Sequence, residues 1–339
     1  MKTIGFAISL LSALACAPGQ AAAASMLGSE LISYSVLSGT YVSTGDSAMI
    51  YGNVLASTYG TTGANSIIYG NFQSGTIATA GAKAFIKGNF QAILDGTTGA
   101  NSTVMGNFQT GTTGTTGAGS TIDGSFKAGG AVSFGATSHI IGAIGAATLV
   151  ETATMSNAMK SSLALAKGQI NTAKAELNKM GAGTLLAATM TVNTTLYAGV
   201  YSAASLSTTA GTTLYLDGQN KANQSWVFNI TDILATGAST NMVLINAGVG
   251  SSVVWNTGGY ASLGASSTFL GTILATDYIS VGADVDFKNL ANSACGGLYS
   301  ATSYVSIGAG ARIGSEGCIP RPTSAIVPES ASYASPISA

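Results

Sequence analysis

Charge is what this chain has least of. Twelve Lys and Arg and thirteen Asp and Glu make up 7% of 339 residues, where ordinary domains carry about 25%. With a net charge of −1 no basic face can gather phosphates, which excludes nucleic acid as a partner. The single histidine, His139, has no nucleophile or acid nearby to complete a triad. It falls in a column with Met49, Ile67 and Phe85, which points to a structural role. Asp284 and Asp286 raise a calcium site or a carboxylate pair, but they alternate along one expected strand and no third carboxylate recurs with them. Charges are too sparse to line the acidic and basic groove of a polysaccharide lyase. With no phosphate loop and no metal-ligand cluster, the expectation is a protein that is not an enzyme, with no cofactor, no metal and no small-molecule substrate.

Long apolar runs are also missing. The longest, from Ile4 to Ala15 after Lys2, is too short to span a bilayer. Followed by small residues through Ala24, it reads as a signal peptide over residues 1–24, and the mature protein is expected to be secreted, with the periplasm or cell surface as variants. Cys16 raises a lipoprotein alternative, although Ala13 and Leu14 fit a lipobox poorly. Four of the five prolines lie between Ile319 and Ala339, so residues 319–339 are expected to be a disordered tail. Asn101, Asn193, Asn223 and Asn229 head glycosylation sequons, which matter only in a eukaryotic source.

Glycine, alanine, serine and threonine fill the space, and they recur. Gly52, Gly70, Gly88, Gly106, Gly124 and Gly142 are each eighteen residues apart, and so are Gly45, Gly63, Gly81, Gly99, Gly117 and Gly135. A repeat this short means stacked units that bury their apolar sides against each other. Eighteen extended residues trace roughly 60 Å, enough for one coil with three short sides. The remaining columns agree. Ile32, Ile50, Ile68, Ile86, Val104, Ile122 and Ile140 form one. Val36, Val54, Phe72, Phe90, Phe108, Phe126 and Ile144 form the next, and a small column runs Ser38, Ala56, Ser74, Ala92, Thr110, Ala128, Ala146. Alternation within a coil and identity between coils are what stacked parallel strands require. Asn53, Asn71, Asn89 and Asn107 read as an amide ladder at a corner. Residues 25–147 are therefore expected to form β-solenoid coils.

The period then changes. Met155, Met159, Leu163, Ala166, Ile170, Ala173 and Leu177 mark one stripe of an amphipathic helix over 148–181. Lys160, Lys167 and Lys174 occupy another face and Gly181 ends the helix. At roughly 45 Å it matches the length of the coil stack and is expected to lie along it. Strands return over 184–318, with Tyr260-Ala261-Ser262-Leu263-Gly264-Ala265 echoed at Tyr278 and Tyr304 and at Tyr41 in the first half.

Several phrases carry a resemblance. Ala198-Gly199-Val200-Tyr201, Leu214-Tyr215-Leu216-Asp217-Gly218, Trp226-Val227-Phe228-Asn229-Ile230, Val243-Leu244-Ile245-Asn246, Val253-Val254-Trp255 and Phe269-Leu270-Gly271-Thr272-Ile273-Leu274-Ala275 follow in order and spacing. Over about Ala147 to Gly314 the chain resembles the microbial ice-binding proteins. It departs from them in Lys288, where members usually carry arginine, and in a stretch before the helix about twice the usual length. The resemblance implies a mainly β fold, a right-handed, three-sided parallel β-solenoid of about eighteen residues per coil with one long α-helix packed along it. It also implies that the last coil meets the first, so that the coil of Tyr304 lies beside that of Tyr41. The partner it implies is the surface of an ice crystal, and a monomer is expected.

Outward hydroxyl columns are the candidate site. One reads Ser43, Thr61, Thr79, Thr97, Thr115, Ser133, and a neighbour reads Thr40, Thr58, Thr76, Leu94, Thr112. Small inward residues, Val42, Gly60, Ala78, Gly96 and Gly114, separate them. Parallel coils hold equivalent hydroxyls about 4.8 Å apart, close to a repeat of the ice lattice, and threonine is stiff at χ1. Thr62-Gly63-Ala64-Asn65 and Thr98-Gly99-Ala100-Asn101 resemble a Thr-Gly-x-Asn pattern of some ice faces, so Thr62, Asn65, Thr98 and Asn101 are second-rank candidates, as are Ser262, Ser280 and Ser306. They are equally turn sequences in which glycine supplies φ > 0. The alternative to ice binding is a structural or adhesive solenoid of an envelope or extracellular matrix.

Removal of Cys16 with the leader leaves Cys295 and Cys318, an even count that favours a disulfide in an exported chain. Thiol titration of the unreduced, denatured mature protein is expected to find none. Two free thiols would rule the bond out.

Overall fold

Every strand pairing among the described residues is parallel. In the computed structural model, which describes residues 27–288 and 296–314, the strands form three sheets of 13, 12 and 12 strands. Each coil contributes one short strand to each sheet, as Phe90–Ala92, Gly96–Thr98 and Thr103–Val104 do. Neighbouring coils pair in register, Phe90 with Phe72 on one side and with Phe108 on the other. The eighteen-residue period is thus the perimeter of one three-sided coil.

The stack is not built in chain order. Coils from the first half run outward from the strand Tyr34–Ser38 to the strand Ile144–Ala146. The chain then returns along the helix Leu149–Lys179 to the far end and builds inward. Last and first coils meet on all three sides, pairing Val36 with Leu298, Ser43 with Ser306 and Met49 with Arg312. The meeting of last and first coils expected from the resemblance is present. The leader, Cys295, Cys318 and the tail lie outside the described residues.

The core follows from side-chain alternation. Phe72, Phe90, Phe108 and Phe126 are fully buried, with ring centroids 5.7, 4.8 and 4.4 Å apart along the column. These rings need the small residues opposite. A Cβ on Gly114 would stand 2.6 Å from Cζ of Phe126, closer than van der Waals contact allows. The second half uses larger aromatics, with Phe228 stacked on Trp255 at 3.8 Å. Both expected columns hold in the interior and fail only at their ends. Ile32 sits in a short 3-10 turn, Leu31–Ser33, ahead of the first strand, and Ile144 in the last coil is exposed. The column of Met49, Ile67 and Phe85 faces outward on the third sheet, with His139 exposed at its end.

Corner glycines work by close approach. A Cβ on Gly63 would lie 2.4 Å from the carbonyl carbon of Gly45, and one on Gly117 2.4 Å from that of Gly99. The positive φ falls two residues later, at Asn65, Lys83, Asn101 and Gly119. The expectation that the column glycine supplies φ > 0 is therefore corrected: asparagine tolerates the left-handed turn, and glycine keeps the coils in contact. Asn53, Asn71 and Asn89 each accept a hydrogen bond at Oδ1 from the backbone N–H of the next asparagine, at 2.8 Å. This is the expected amide ladder.

The helix is entered through a capping box. The Thr148 side chain accepts from the Glu151 N–H, and Glu151 accepts in return from the Thr148 N–H. Met155, Met159, Ala166, Ile170, Ala173 and Leu177 are buried against Leu37, Leu55, Leu274 and Tyr299 on the outer face of the first sheet. Lys160 is exposed as expected, but Lys167 and Lys174 turn toward the sheet. Lys174 Nζ donates to Asn256 Oδ1 at 2.8 Å, to Thr257 O at 2.5 Å and to Leu274 O at 3.2 Å. Burial pushes its pKa down from 10.5 to about 8. Beneath the helix, burial also pushes the Tyr34 phenol up to about 12 and raises that of Tyr299.

Two outcomes follow for stability. Phe90→Ala should cost about 3–5 kcal/mol, the usual loss for an aromatic removed from a packed core, and an unchanged denaturation midpoint would contradict this packing. Between pH 8 and about 10 the unfolded chain holds a proton that folded Lys174 gives up, so stability should rise with pH. Above 10 the unfolded tyrosines ionise while Tyr34 and Tyr299 stay neutral, so stability should fall. Urea midpoints across this range, with Lys174→Met abolishing the rise, check both signs.

Candidate hydroxyl face

The second sheet carries one outward side chain per strand at the centre of its face. In stack order these are Ser133, Thr115, Thr97, Thr79, Thr61, Ser43, Ser306, Ser280, Ser262, Ala235, Ser207 and Thr189. Eleven of the twelve carry a hydroxyl, and Ala235 is the gap. The strand periodicity that turns them outward buries their neighbours, as Ala78 and Ala80 are buried beside Thr79. The row crosses the junction of first and last coils without interruption, where Ser43 Oγ donates to Ser306 Oγ at 3.4 Å. At its far end Thr189 and Ser207 bond each other at 2.8 Å.

Coil spacing along this face is uniform. Tyr260, Tyr278, Tyr304, Tyr41 and Tyr59 stack along one edge with centroids 4.6, 4.9, 4.9 and 4.8 Å apart. The rings step once per coil, so the hydroxyl row keeps nearly the same interval on both sides of the junction. Asp95 continues the tyrosine column toward the first-half end. Its carboxylate accepts from Thr112 Oγ1 at 2.5 Å and from the Thr113 N–H at 3.0 Å, and these bonds hold its pKa below the usual carboxylate range.

The structure separates the candidates. Ser43, Thr61, Thr79, Thr97, Thr115 and Ser133 share one face with Ser262, Ser280 and Ser306. Thr58, Thr76 and Thr112 lie in the bends before the second-sheet strands. The Thr76 hydroxyl donates to Thr58 O at 2.7 Å, and Thr112 is tied to Asp95. Thr62 and Thr98 are corrections. Both are buried, because they stand one step along the strand from the outward Thr61 and Thr97. Thr62 Oγ1 accepts from the Gly81 N–H and Thr98 Oγ1 donates to Ser120 Oγ. Asn65 and Asn101 occupy the exposed left-handed corner position, beside the row and not in it. Asp284 sits in the equivalent turn with φ 56, while Asp286 on the next strand pairs with Lys288 at 3.0 Å. They form no carboxylate pair.

Thr189 and Ser207 join the face although the repeat did not mark them. Successive stations in the second half are 18, 28, 27, 18 and 26 residues apart, so a fixed period misses them. The local alternation of Leu206-Ser207-Thr208, with buried Leu206 and Thr208 on either side of an outward serine, was the available signal, and only Leu206 is apolar.

Comparison with known proteins agrees with this architecture. A model of the ice-binding-like family matches residues 76–311. Ice-binding protein 1 of Shewanella frigidimarina is 32% identical over 122 residues, which is 35% of this chain and 13% of that protein. The chain therefore spans about an eighth of that relative's length. The solved ice-binding domain of the Shewanella frigidimarina protein superposes with a TM-score of 0.51 at 18% identity, covering 84% of this chain and 95% of that one. A glycosylated ice-binding protein from an Arctic yeast superposes with a TM-score of 0.50 at 15% identity, covering 87% and 95%. At those identities the two structures speak for the fold, whereas the family model covers well over half of the sequence. The chain belongs to the ice-binding-like family.

Proposed function

We propose that this protein is exported and adsorbs to ice through the second sheet. The supporting observation is the row of hydroxyls, repeated once per coil at about 4.8 Å and continuous across the meeting of the two halves of the chain. The proposed contact set is Ser43, Thr61, Thr79, Thr97, Thr115 and Ser133 with Ser262, Ser280 and Ser306. Regular hydroxyls anchor waters at lattice-like intervals, and threonine methyl groups order the water between them. The row itself carries no ion whose hydration shell would compete. The parallel hydrogen-bond ladder keeps the face rigid, so ordered water costs little further entropy to hold. Growth is then blocked between adsorbed molecules, with no bond made or broken in the protein.

Thr79 and Thr97 are the sharpest test because threonines flank both. Thr79→Tyr with Thr97→Tyr should abolish ice shaping and inhibition of recrystallisation. Surface substitutions of this kind usually change stability by less than about 0.5 kcal/mol, so the thermal midpoint should hold. Thr103→Tyr with Thr121→Tyr, outward on the third sheet, should leave activity intact. If both pairs remain active, the contact set is wrong. If the unaltered protein neither shapes nor binds ice, the structural or adhesive reading replaces this one.

A further inference from the structure

One end of the solenoid is bare. The strands Val132–Phe134, His139–Ile140 and Ile144–Ala146 are each the last of their sheet, hydrogen-bonded on one side only. A terminal coil of a soluble repeat protein normally carries polar capping residues, and open strand edges are usually guarded by charge, lysine above all. This one lacks the charge. From Ala128 to Val150 there is no Asp, Glu, Lys or Arg. At core-facing positions the coil bears Val132 where the previous one has Gly114, and Phe134 where it has Thr116. Val132, Phe134 and Ile144 are 40, 42 and 57% exposed, and Ile141 and Leu149 beside them 61 and 90%. Together they expose on the order of 500 Å² of apolar side chain, at the upper end of what a monomer shows in one patch.

The opposite end differs. Its strands Thr189–Met190 and Thr194–Tyr197 are also terminal, but their core-facing Met190 and Leu196 are already buried, at 7 and 6%. Leu185, Val192 and Tyr197 are also exposed at this end, at 78, 69 and 52%, but Leu185 and Tyr197 lie at outward stations paired with Ser202 and Asp217, whereas Val132, Phe134 and Ile144 lie at core-facing ones.

We infer that this end is covered by the same end of a second copy, giving a two-fold, end-to-end dimer. Three strand edges disposed around one triangular coil can be paired together only by another coil of the same cross-section, and a second copy presents one. An isologous joint closes on itself, whereas joining opposite ends would leave an uncovered core at every chain terminus. The surface buried by both copies approaches about 1,000 Å², the lower limit for a specific interface, so the dimer should be weak and depend on concentration. The dimer is inferred in place of the monomer expected from the sequence. The inference does not depend on ice binding.

Sedimentation velocity of the mature protein from about 1 to about 100 µM, a range bracketing affinities near the micromolar level, tests it. The unaltered protein should move from monomer toward dimer across that range. Ile141→Lys with Ile144→Lys should stay monomeric with an unchanged circular dichroism spectrum. Should that pair disturb the coil, Leu149→Lys, at a side chain almost wholly in water, should weaken the dimer at least tenfold. Leu185→Lys with Val192→Lys at the opposite end should dimerise as before. A monomer throughout, a dimer indifferent to the first-half substitutions, or dissociation by the opposite-end pair would each overturn the inference.

Discussion

The in-register parallel ladder between coils is the constraint on which the rest depends. Each coil passes its backbone donors and acceptors to the next at a fixed interval, so whatever one coil places at a position is repeated by its neighbours. A buried phenylalanine becomes a stacked column, a corner asparagine becomes an amide ladder, and an outward threonine becomes a row of hydroxyls. Close contact at the corners is the condition for this, and the glycine columns supply it: a Cβ at Gly63 or Gly117 would push the coils apart. A solenoid built in this way needs almost no charge. Its cohesion comes from backbone pairing and apolar burial, and the surface is free to be uniform.

The helix gives the stack its unusual order. By running back along the first sheet it allows coils from the end of the chain to be laid against coils from its beginning. The contacts beneath it couple the halves further: Tyr299 Oη donates to the Tyr34 carbonyl at 2.7 Å, in a buried bond spanning 265 residues. Lys174 reaches from the helix to three acceptors of second-half strands. A junction held by backbone pairing on three sides and by the helix above is stiff enough to carry a continuous face.

Part of the face was legible in advance and part was not, for a definite reason. Where the coil length is constant, as from Ser43 to Ser133, counting by eighteen places each residue on its correct side. Where coil lengths vary, as from Thr189 to Ser262, no fixed period survives, and pairing alone reveals that Ser207 and Ala235 occupy equivalent stations. The Thr-Gly-x-Asn stretches show the opposite failure. Their threonines look like surface residues, yet one step along a strand reverses the side chain, so Thr62 and Thr98 are buried.

The sequence by itself determined the coil, its perimeter, its apolar columns and the helix stripe, because these depend on local alternation and on contacts between coils adjacent in the chain. Tertiary structure decided what depends on coils distant in sequence. Pairing of Ser43 with Ser306 makes two partial rows into one, and pairing partners so far apart leave no periodic trace. It decided the fate of Lys167 and Lys174 as well, since a helix stripe shows which residues face the sheet but not how far a long side chain reaches around it. It also decided which end of the stack is left open: Val132 and Phe134 belong to columns that are buried everywhere else, and only the absence of a following coil exposes them.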